Sequence, residues 1–212
     1  MKKQLLIVSG FSGVGKGTLV EKLTSANPSL SLIRSCTTRA KRSPKENYEF
    51  VSKEEFLVRN NKDYFFETAM YQGSENFYGT PKVPIYQAWD NNKIPLLEIN
   101  TTGFLQLKKH PELSDCLLKS IFIAAEPHDL LFRLQNRQTE TIPSIVKRLK
   151  AAIRETADIS NYDFVLFNHS IEDSVTALED YIFHGNKSSE GFQKLCFIEQ
   201  LEQIILNLKY TP

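Results

Sequence analysis

The sequence contains little that would suggest a disulfide-linked, secreted or membrane-spanning protein. It has three cysteines among 212 residues, Cys36, Cys116 and Cys196, and they lie far apart. This pattern predicts neither a disulfide framework nor a zinc site, and it favours a reducing compartment. No stretch approaches the roughly 18–20 apolar residues that a membrane-spanning helix needs. The basic start, Met1-Lys2-Lys3, precedes a short apolar run with no small-residue cleavage site, so we expect a cytoplasmic protein.

The chain also lacks a strong charge of either sign. Its 26 lysines and arginines nearly balance 25 aspartates and glutamates, for a net charge of +1. Such a chain has no overall basic field to hold nucleic acid or an anionic membrane, so we expect neither as a partner. The histidines show no metal-ligand spacing and are interpreted as surface or structural residues; they are His110, His128, His169 and His184.

Apolar runs alternate with helical patterns along most of the chain. We predict strands at residues 5–8, 31–35, 95–99, 120–124 and 163–167. We predict helices at residues 16–26, 128–137, 143–156 and 171–183, with Thr141 as a possible cap of the third. Strands alternating with helices indicate an α/β fold with a parallel sheet flanked by helices.

Two regions depart from this alternation. From Cys36 to about Asn92, aromatic residues, charges and turn signals predominate without a long helical period, which predicts a small inserted lobe. After a polar linker at residues 185–190, apolar residues recur at helical spacing; they are Phe192, Leu195, Leu201, Ile204, Ile205 and Leu208. We expect this amphipathic helix to pack on the core, with a dimer contact as the weaker alternative.

A glycine-rich segment joins the first predicted strand to the first predicted helix. It reads Gly10-Phe11-Ser12-Gly13-Val14-Gly15-Lys16-Gly17-Thr18 and has the spacing of a phosphate-binding loop. Glycines let consecutive backbone N–H groups converge on phosphate oxygens, and the following helix presents its positive end to them. Lys16 adds a compact cation for the β- and γ-phosphates. A glycine-rich turn without a ligand is the alternative, which the spacing, the lysine and the strand–helix context disfavour.

The metal-binding part of this loop is altered. Gly17 follows the lysine, where Ser or Thr usually supplies a hydroxyl ligand for Mg²⁺. Thr18 is then the nearest hydroxyl, and we predict it as the metal-binding residue.

Further motifs follow in order between about residues 4 and 183. They are Ser35-Cys36-Thr37-Thr38-Arg39, Arg42, Tyr48-Glu49-Phe50-Val51, Glu67, Tyr78-Gly79-Thr80, Leu97-Glu98-Ile99-Asn100, Arg133-Leu134, Arg137, Arg148-Leu149, Ala152 and Tyr162-Asp163-Phe164. This ordered set resembles the guanylate kinase family. Asn61-Lys62-Asp63, by contrast, has the wrong spacing for the guanine-reading motif of a GTPase.

The resemblance implies an enzyme that phosphorylates GMP, and dGMP, with ATP and Mg²⁺. Arg39 and Arg42 would grip the acceptor phosphate through planar donor forks. Tyr48 and Tyr78 would add hydroxyl hydrogen bonds to the same phosphate. Glu67 would read guanine, because a carboxylate accepts hydrogen bonds from both N1–H and the N2 amino group. Ser35 and Thr80 would contact another edge of the base, and Glu98 and Asn100 are also placed with the acceptor.

The resemblance also implies a domain at residues 1–185, with an acceptor-binding lobe at 37–92 and a short lid at 136–148. Residues 186–212 form the C-terminal linker and helix. Closing the lid would bring Arg137 and Arg148 onto the transferring phosphoryl group and expel water. Lys16, Arg39, Arg137 and Arg148 are then the catalytic residues. Arg133 is assigned to ATP, with a helix-surface residue as the alternative.

Each acceptor residue has a structural alternative. Arg39 and Arg42 could be solvated surface residues. Glu67 could be an ordinary exposed acid, and Tyr48 could simply pack against the lobe without contacting a ligand. The turn at residues 43–47 is shortened relative to the family, and Asn100 replaces an acid. Two other functions therefore stay open: a non-catalytic binding module, which the intact Lys16 disfavours, and a kinase for another phosphorylated small molecule. We expect a monomer or a homodimer.

Overall fold

The computed structural model describes residues 3–41, 46–70, 75–136, 141–187 and 191–210. The chain divides into two compact units. The first comprises residues 1–8 and 24–119, and the second comprises residues 9–23 and 120–212.

The helices and strands follow in this chain order. The strands are β1 (Gln4–Gly10), β2 (Leu30–Ile33), β3 (Ser35–Thr37), β4 (Tyr48–Phe50), β5 (Phe65–Met70), β6 (Phe77–Pro81), β7 (Ile94–Glu98), β8 (Leu117–Ala124) and β9 (Phe164–Phe167). The α-helices are α1 (Lys16–Ala26), α2 (Lys53–Asn61), α3 (Lys82–Asp90), α4 (Thr101–Leu107), α5 (Pro127–Gln135), α6 (Ile142–Glu155), α7 (Ile171–Glu179) and α8 (Lys194–Tyr210).

Parallel strands form the centre of each unit. In the first unit β7 pairs in parallel with both β1 and β2, so that Leu96 lies opposite Leu6 on one side and Leu32 on the other. In the second unit β8 pairs in parallel with β9, with Ile123 opposite Leu166. Residues 5–8 of β1 are fully buried, as expected of a strand covered on both faces. The predicted α/β class with parallel strands is confirmed.

The aromatic region of the first unit has a sheet of its own, in the order β4-β3-β6-β5. Its β3 pairs in parallel with β4 and antiparallel with β6, and β5 pairs antiparallel with β6. A small core of Cys36, Phe56 and Phe65 fills it. We call residues 35–81 the lobe from here on. Its sheet places residues from four separate strands on one surface.

Two features of this unit differ from what the sequence predicted. The strand predicted at residues 31–35 ends at Ile33, and Ser35 instead begins β3 of the lobe sheet. The sequence shows no long helical period in the lobe, and no helix was predicted there, but it contains α2, which Ser52 caps by accepting a hydrogen bond from Glu55 N. Only Phe56 of α2 is buried, so this short helix leaves almost no apolar period in the sequence.

The C-terminal helix α8 packs against α6 and α5 within the second unit. Its buried side chains are Phe197, Leu201, Ile204 and Ile205. Leu195, which was predicted on the same apolar face, is 76% exposed, so that assignment was wrong. None of the helices among the described residues is long and apolar enough to cross a membrane.

Candidate functional site

The predicted phosphate-binding loop, residues 10–18, belongs to the second unit and connects β1 to α1. Gly10, Gly13 and Gly15 have positive φ angles of 152°, 102° and 91°. A Cβ atom at Gly10 would lie 2.2 Å from the backbone oxygen of Ile123. A side chain there would collide with backbone atoms, so glycine is required by both conformation and space. The loop thus has the tightly wound backbone that the motif predicts.

Lys16 folds back across this loop from the first turn of α1. Its Nζ donates hydrogen bonds to the carbonyl oxygens of Gly10, at 2.8 Å, and of Phe11, at 3.0 Å. The ammonium group is therefore held at the start of the loop that it is predicted to serve. Its position depends directly on the position of the Phe11 backbone.

Two side chains from outside the motif support the middle of the loop. Arg133 on α5 donates from Nη1 to the carbonyl oxygen of Val14 at 3.0 Å, and Asn168 donates from Nδ2 to the same oxygen at 2.6 Å. Arg133 also donates to the carbonyl oxygen of Asn168. Asn168 is buried, and its Oδ1 accepts from Ser174 Oγ at 3.0 Å. Arg133 is thus no mere surface residue, and its contact with ATP stays a prediction.

Asn168 is not among the site residues that the sequence predicts. A signal existed, because this polar residue directly follows the buried strand β9. The carboxyl ends of parallel strands are where α/β proteins place ligand-facing residues. Asn168 therefore merited a place among the predicted site residues.

The helix α6 carries a further predicted residue to the loop. Arg148 donates from Nη1 to Ser12 Oγ, so two residues predicted from separate motifs meet. The helix begins as expected, because Thr141 Oγ1 accepts from Ser144 N at 3.4 Å and thereby caps it. Arg137, the other predicted lid arginine, lies outside the described residues.

The last residue of α6, Glu155, is a second group that the sequence analysis missed. Burial raises the pKa of Glu155 to about 7, although the positive charges of Lys16 and Arg154 act in the opposite direction. Thr18, the predicted metal-binding residue, is exposed near the start of α1. Within the described ranges, no cluster of three or more histidine, cysteine, aspartate or glutamate side chains is arranged to hold a metal ion.

In the first unit, three of the predicted phosphate-gripping residues, Arg39, Tyr48 and Tyr78, lie together in the lobe. Arg39 is only 8% exposed, and its Nη2 donates to Glu46 Oε1 at 2.7 Å. Its guanidinium carbon lies 5.5 Å from the centroid of the Tyr48 ring. The Tyr48 and Tyr78 rings are 6.0 Å apart. Arg39 is therefore no solvated surface arginine, whereas Arg42 lies outside the described residues.

Tyr48 lies in surroundings that keep its phenol protonated. Burial, assisted by the negative charge of Glu98, raises the pKa of the Tyr48 phenol to about 12. The hydroxyl is therefore protonated throughout the physiological range. The structure brings Tyr48 close to three residues predicted for the acceptor site, Arg39, Tyr78 and Glu98.

Glu67, the predicted guanine reader, is a buried acid rather than an ordinary exposed one. It is 5% exposed, and its Oε1 accepts from Thr80 Oγ1 at 2.6 Å. Burial raises the pKa of Glu67 to about 7, although hydrogen bonds from Thr80 act in the opposite direction. A Cβ atom at Gly103 would lie 2.5 Å from Glu67 Oε2. Any larger residue at this position would therefore collide with the Glu67 carboxylate.

The other predicted acceptor residues have mixed surroundings. Ser35 is buried in β3, which is a strand of the lobe sheet. Asn100 caps α4, because its Oδ1 accepts from Gly103 N at 2.8 Å. Part of the hydrogen-bonding capacity of Asn100 thus serves the fold, and its contact with an acceptor stays a prediction.

Comparisons with known proteins agree with these features. The sequence profile of the family described as Guanylate kinase matches residues 2–185. The guanylate kinase of Clostridioides difficile (strain 630) is 35% identical over 208 residues, covering 95% of this chain and 97% of the relative. That of Prochlorococcus marinus subsp. pastoris is 37% identical over 177 residues, covering 82% and 93%.

A solved structure is also similar to this fold. The crystal structure of guanylate kinase from Anaplasma phagocytophilum superimposes with a TM-score of 0.68 at 26% identity, covering 88% of this chain and 87% of the other. The fold and the family predicted from the sequence motifs are therefore confirmed. With a matching profile across most of its length and relatives above 30% identity, the chain belongs to the guanylate kinase family.

Proposed function

We propose that the protein transfers the γ-phosphoryl group of ATP to GMP, and to dGMP, as a nucleoside monophosphate kinase of purine nucleotide metabolism. The observation that carries the choice of acceptor is the buried carboxylate of Glu67, oriented by Thr80. An ionised carboxylate accepts hydrogen bonds from the N1–H and N2 amino groups of guanine. Adenine offers a lone pair at N1, which the same carboxylate would repel. A buried polar reader left unpaired discriminates by a factor of roughly 10⁴.

The donor side of the proposal rests on the phosphate-binding loop. Its backbone N–H groups, the N-terminus of α1 and Lys16 would hold the ATP phosphates. Mg²⁺ would neutralise part of the phosphate charge, held by the phosphates and the Thr18 hydroxyl. One exposed hydroxyl fits a small ion that keeps most of its waters.

Transfer in this proposal needs no general base, because the attacking oxygen of GMP is an ionised phosphate oxygen. Arg39, Arg42, Tyr48 and Tyr78 would hold that phosphate, and Arg137 and Arg148 would stabilise charge on the transferring group. Catalysis then consists of positioning and electrostatic stabilisation. Arg39 already pairs with Glu46, so the acceptor phosphate would share or replace that carboxylate as its partner.

A panel of acceptors tests the proposal. ADP release in the presence of ATP and Mg²⁺ is measured with GMP, dGMP, AMP, UMP and CMP. We expect turnover with GMP and dGMP, and kcat/KM at least roughly 10³-fold lower with AMP. The Glu67→Gln variant should lose activity toward GMP, whereas Glu54→Gln, an exposed acid of the same lobe, should not.

Other results would contradict the proposal in distinct ways. Turnover with AMP equal to or greater than that with GMP would exclude guanine recognition. GMP binding without any phosphoryl transfer would favour a non-catalytic module. Turnover of another phosphorylated molecule that survives in Glu67→Ala would favour a different acceptor.

We also propose that the protein works in the cytoplasm as a monomer or homodimer, without a nucleic acid or membrane partner. The three free cysteines and the net charge of +1 support this assignment. Sedimentation of the purified chain at micromolar concentration would decide between monomer and dimer.

A further inference from the structure

An aromatic cluster joins the phosphate-binding loop to the C-terminal helix within the second unit. Phe11, the second residue of the loop, is fully buried. Its ring stacks on that of Phe197 in α8, with centroids 4.9 Å apart and planes 13° apart. The rings of Phe122 and Phe192 lie 4.9 Å and 6.4 Å from it. Phe11 is therefore enclosed by aromatic side chains, two of which follow residue 185.

The position of Phe11 bears directly on the lysine of the loop. The Phe11 carbonyl oxygen accepts from Lys16 Nζ at 3.0 Å, and the Phe11 N–H donates to the carbonyl oxygen of Ile123 at 3.2 Å. Because the ring and these backbone atoms belong to one residue, displacement of the ring moves the group that holds the Lys16 ammonium.

The same helix contacts the other supports of the loop. The helix α8 packs on α6, which carries Arg148, and on α5, which carries Arg133. Arg148 contacts Ser12 and Arg133 contacts Val14. One helix therefore contacts Phe11 through Phe197 and packs against the two helices whose arginines contact residues 12 and 14. The profile that defines the family ends at residue 185, before this helix begins.

We propose that α8 positions the phosphate-binding loop for ATP, with Phe197 acting through Phe11 as a positioning residue. This inference rests on the proposed binding of ATP at residues 10–18. Removing the Phe197 ring opens space beside Phe11 and frees the loop backbone to shift. Binding of ATP should weaken, so KM for ATP should rise while KM for GMP changes little.

The test compares three variants of the full-length chain. Phe197→Ala removes the ring, Phe197→Leu keeps an apolar side chain of intermediate size, and Leu195→Ala shortens an exposed residue of the same helix. The dissociation constant of a non-hydrolysable ATP analogue with Mg²⁺ is measured by calorimetry, together with KM for ATP and for GMP.

We expect Phe197→Ala to weaken binding of the analogue by about 10-fold, since misplacements of about 1 Å at a reacting site cost up to 100-fold. KM for ATP should rise in parallel. Phe197→Leu should recover part of the affinity, and Leu195→Ala should stay within about 2-fold of the unaltered chain, as surface substitutions generally do.

The inference is overturned if Phe197→Ala melts cooperatively and binds the analogue with unaltered affinity, because α8 then contributes stability alone. If Phe197→Ala does not fold, Phe197→Leu and Phe11→Leu decide: weaker binding in both supports the inference, and unaltered binding in both refutes it. If the unaltered chain does not bind the ATP analogue, the proposed function itself is refuted. If the unaltered chain and Phe197→Ala bind it with equal affinity, only the role of α8 is refuted.

Discussion

In the proposed function, the phosphate-binding loop and the lobe would bind their ligands with different parts of the polypeptide. The loop would use backbone N–H groups arranged by glycines with positive φ, plus one lysine, all within residues 10–18. The lobe would use side chains, such as Arg39, Glu67 and Thr80, that come from separate segments of the chain and are buried. A backbone site depends on local conformation and does not titrate. A side-chain site depends on burial and partners, and it therefore responds to pH.

The largest expected effect tests the backbone character of the loop. Gly10→Ala places a Cβ atom where the Ile123 carbonyl oxygen lies, at 2.2 Å, so the loop must move. We expect kcat/KM for ATP to fall roughly 100- to 1000-fold, since the loop aligns several phosphate contacts at once. The matched control is Gly191→Ala, because a Cβ there meets no atom within 4 Å. Activity within a few-fold of the unaltered chain in Gly10→Ala would show that side chains dominate the loop as well.

The second prediction concerns the cost of burying the lobe carboxylate. The pKa of Glu67 is raised from 4.5 to about 7 in the folded protein. Between these values the folded state holds the proton and the unfolded state does not, so stability falls as pH rises through this range. At 1.36 kcal/mol per unit of pKa, the free energy of unfolding is about 3 kcal/mol lower above pH 7 than below pH 4.5 as a result of this one group.

Urea unfolding of Glu67→Gln and the unaltered chain, at pH 5 and pH 8, checks this prediction. The amide cannot ionise. The free energy of unfolding of the variant, relative to that of the unaltered chain, should therefore be about 2–3 kcal/mol higher at pH 8 than at pH 5. Glu54→Gln, which changes an exposed acid of the lobe, serves as the control. A difference between Glu67→Gln and the unaltered chain that does not vary with pH would mean that Glu67 is ionised in the fold.

The smallest expected effect concerns the hydrogen bond that orients Glu67. Thr80→Val removes the hydroxyl that donates to Oε1 at 2.6 Å and keeps the branched shape. We expect kcat/KM for GMP to fall about 10-fold, in line with one lost hydrogen bond to a carboxylate. Because that bond favours the ionised carboxylate, the pKa of Glu67 should also rise in this variant.

Thr80→Ser keeps the hydroxyl and should behave nearly like the unaltered chain. KM for ATP should not change in either variant, since the donor loop does not use Glu67. Equal losses in Thr80→Val and Thr80→Ser would show that the methyl group, rather than the hydroxyl, matters at this position.

The two regions also differ in how well the sequence predicts them. The whole loop segment, residues 10–18, was predicted from the sequence, because its residues are contiguous and the conformation of a glycine-rich turn depends on near neighbours. In the lobe the residue types were found by their order and resemblance, but the helix α2 was missed. The burial of Glu67 and the pairing of Arg39 with Glu46 were also not foreseen, because both depend on the folded arrangement of the lobe.

The sequence by itself determined the α/β class, the phosphate-binding loop and the family, since apolar periodicity and contiguous motifs are local properties of the chain. Only the tertiary structure decided that Asn168 and Arg133 meet at the Val14 carbonyl oxygen, and that Phe197 stacks on Phe11. It also decided the pKa of Glu67, because the free energy of a buried charge depends on neighbours that are distant in sequence. Local conformation can be read along the chain, whereas burial and long-range contacts exist only once the chain is folded.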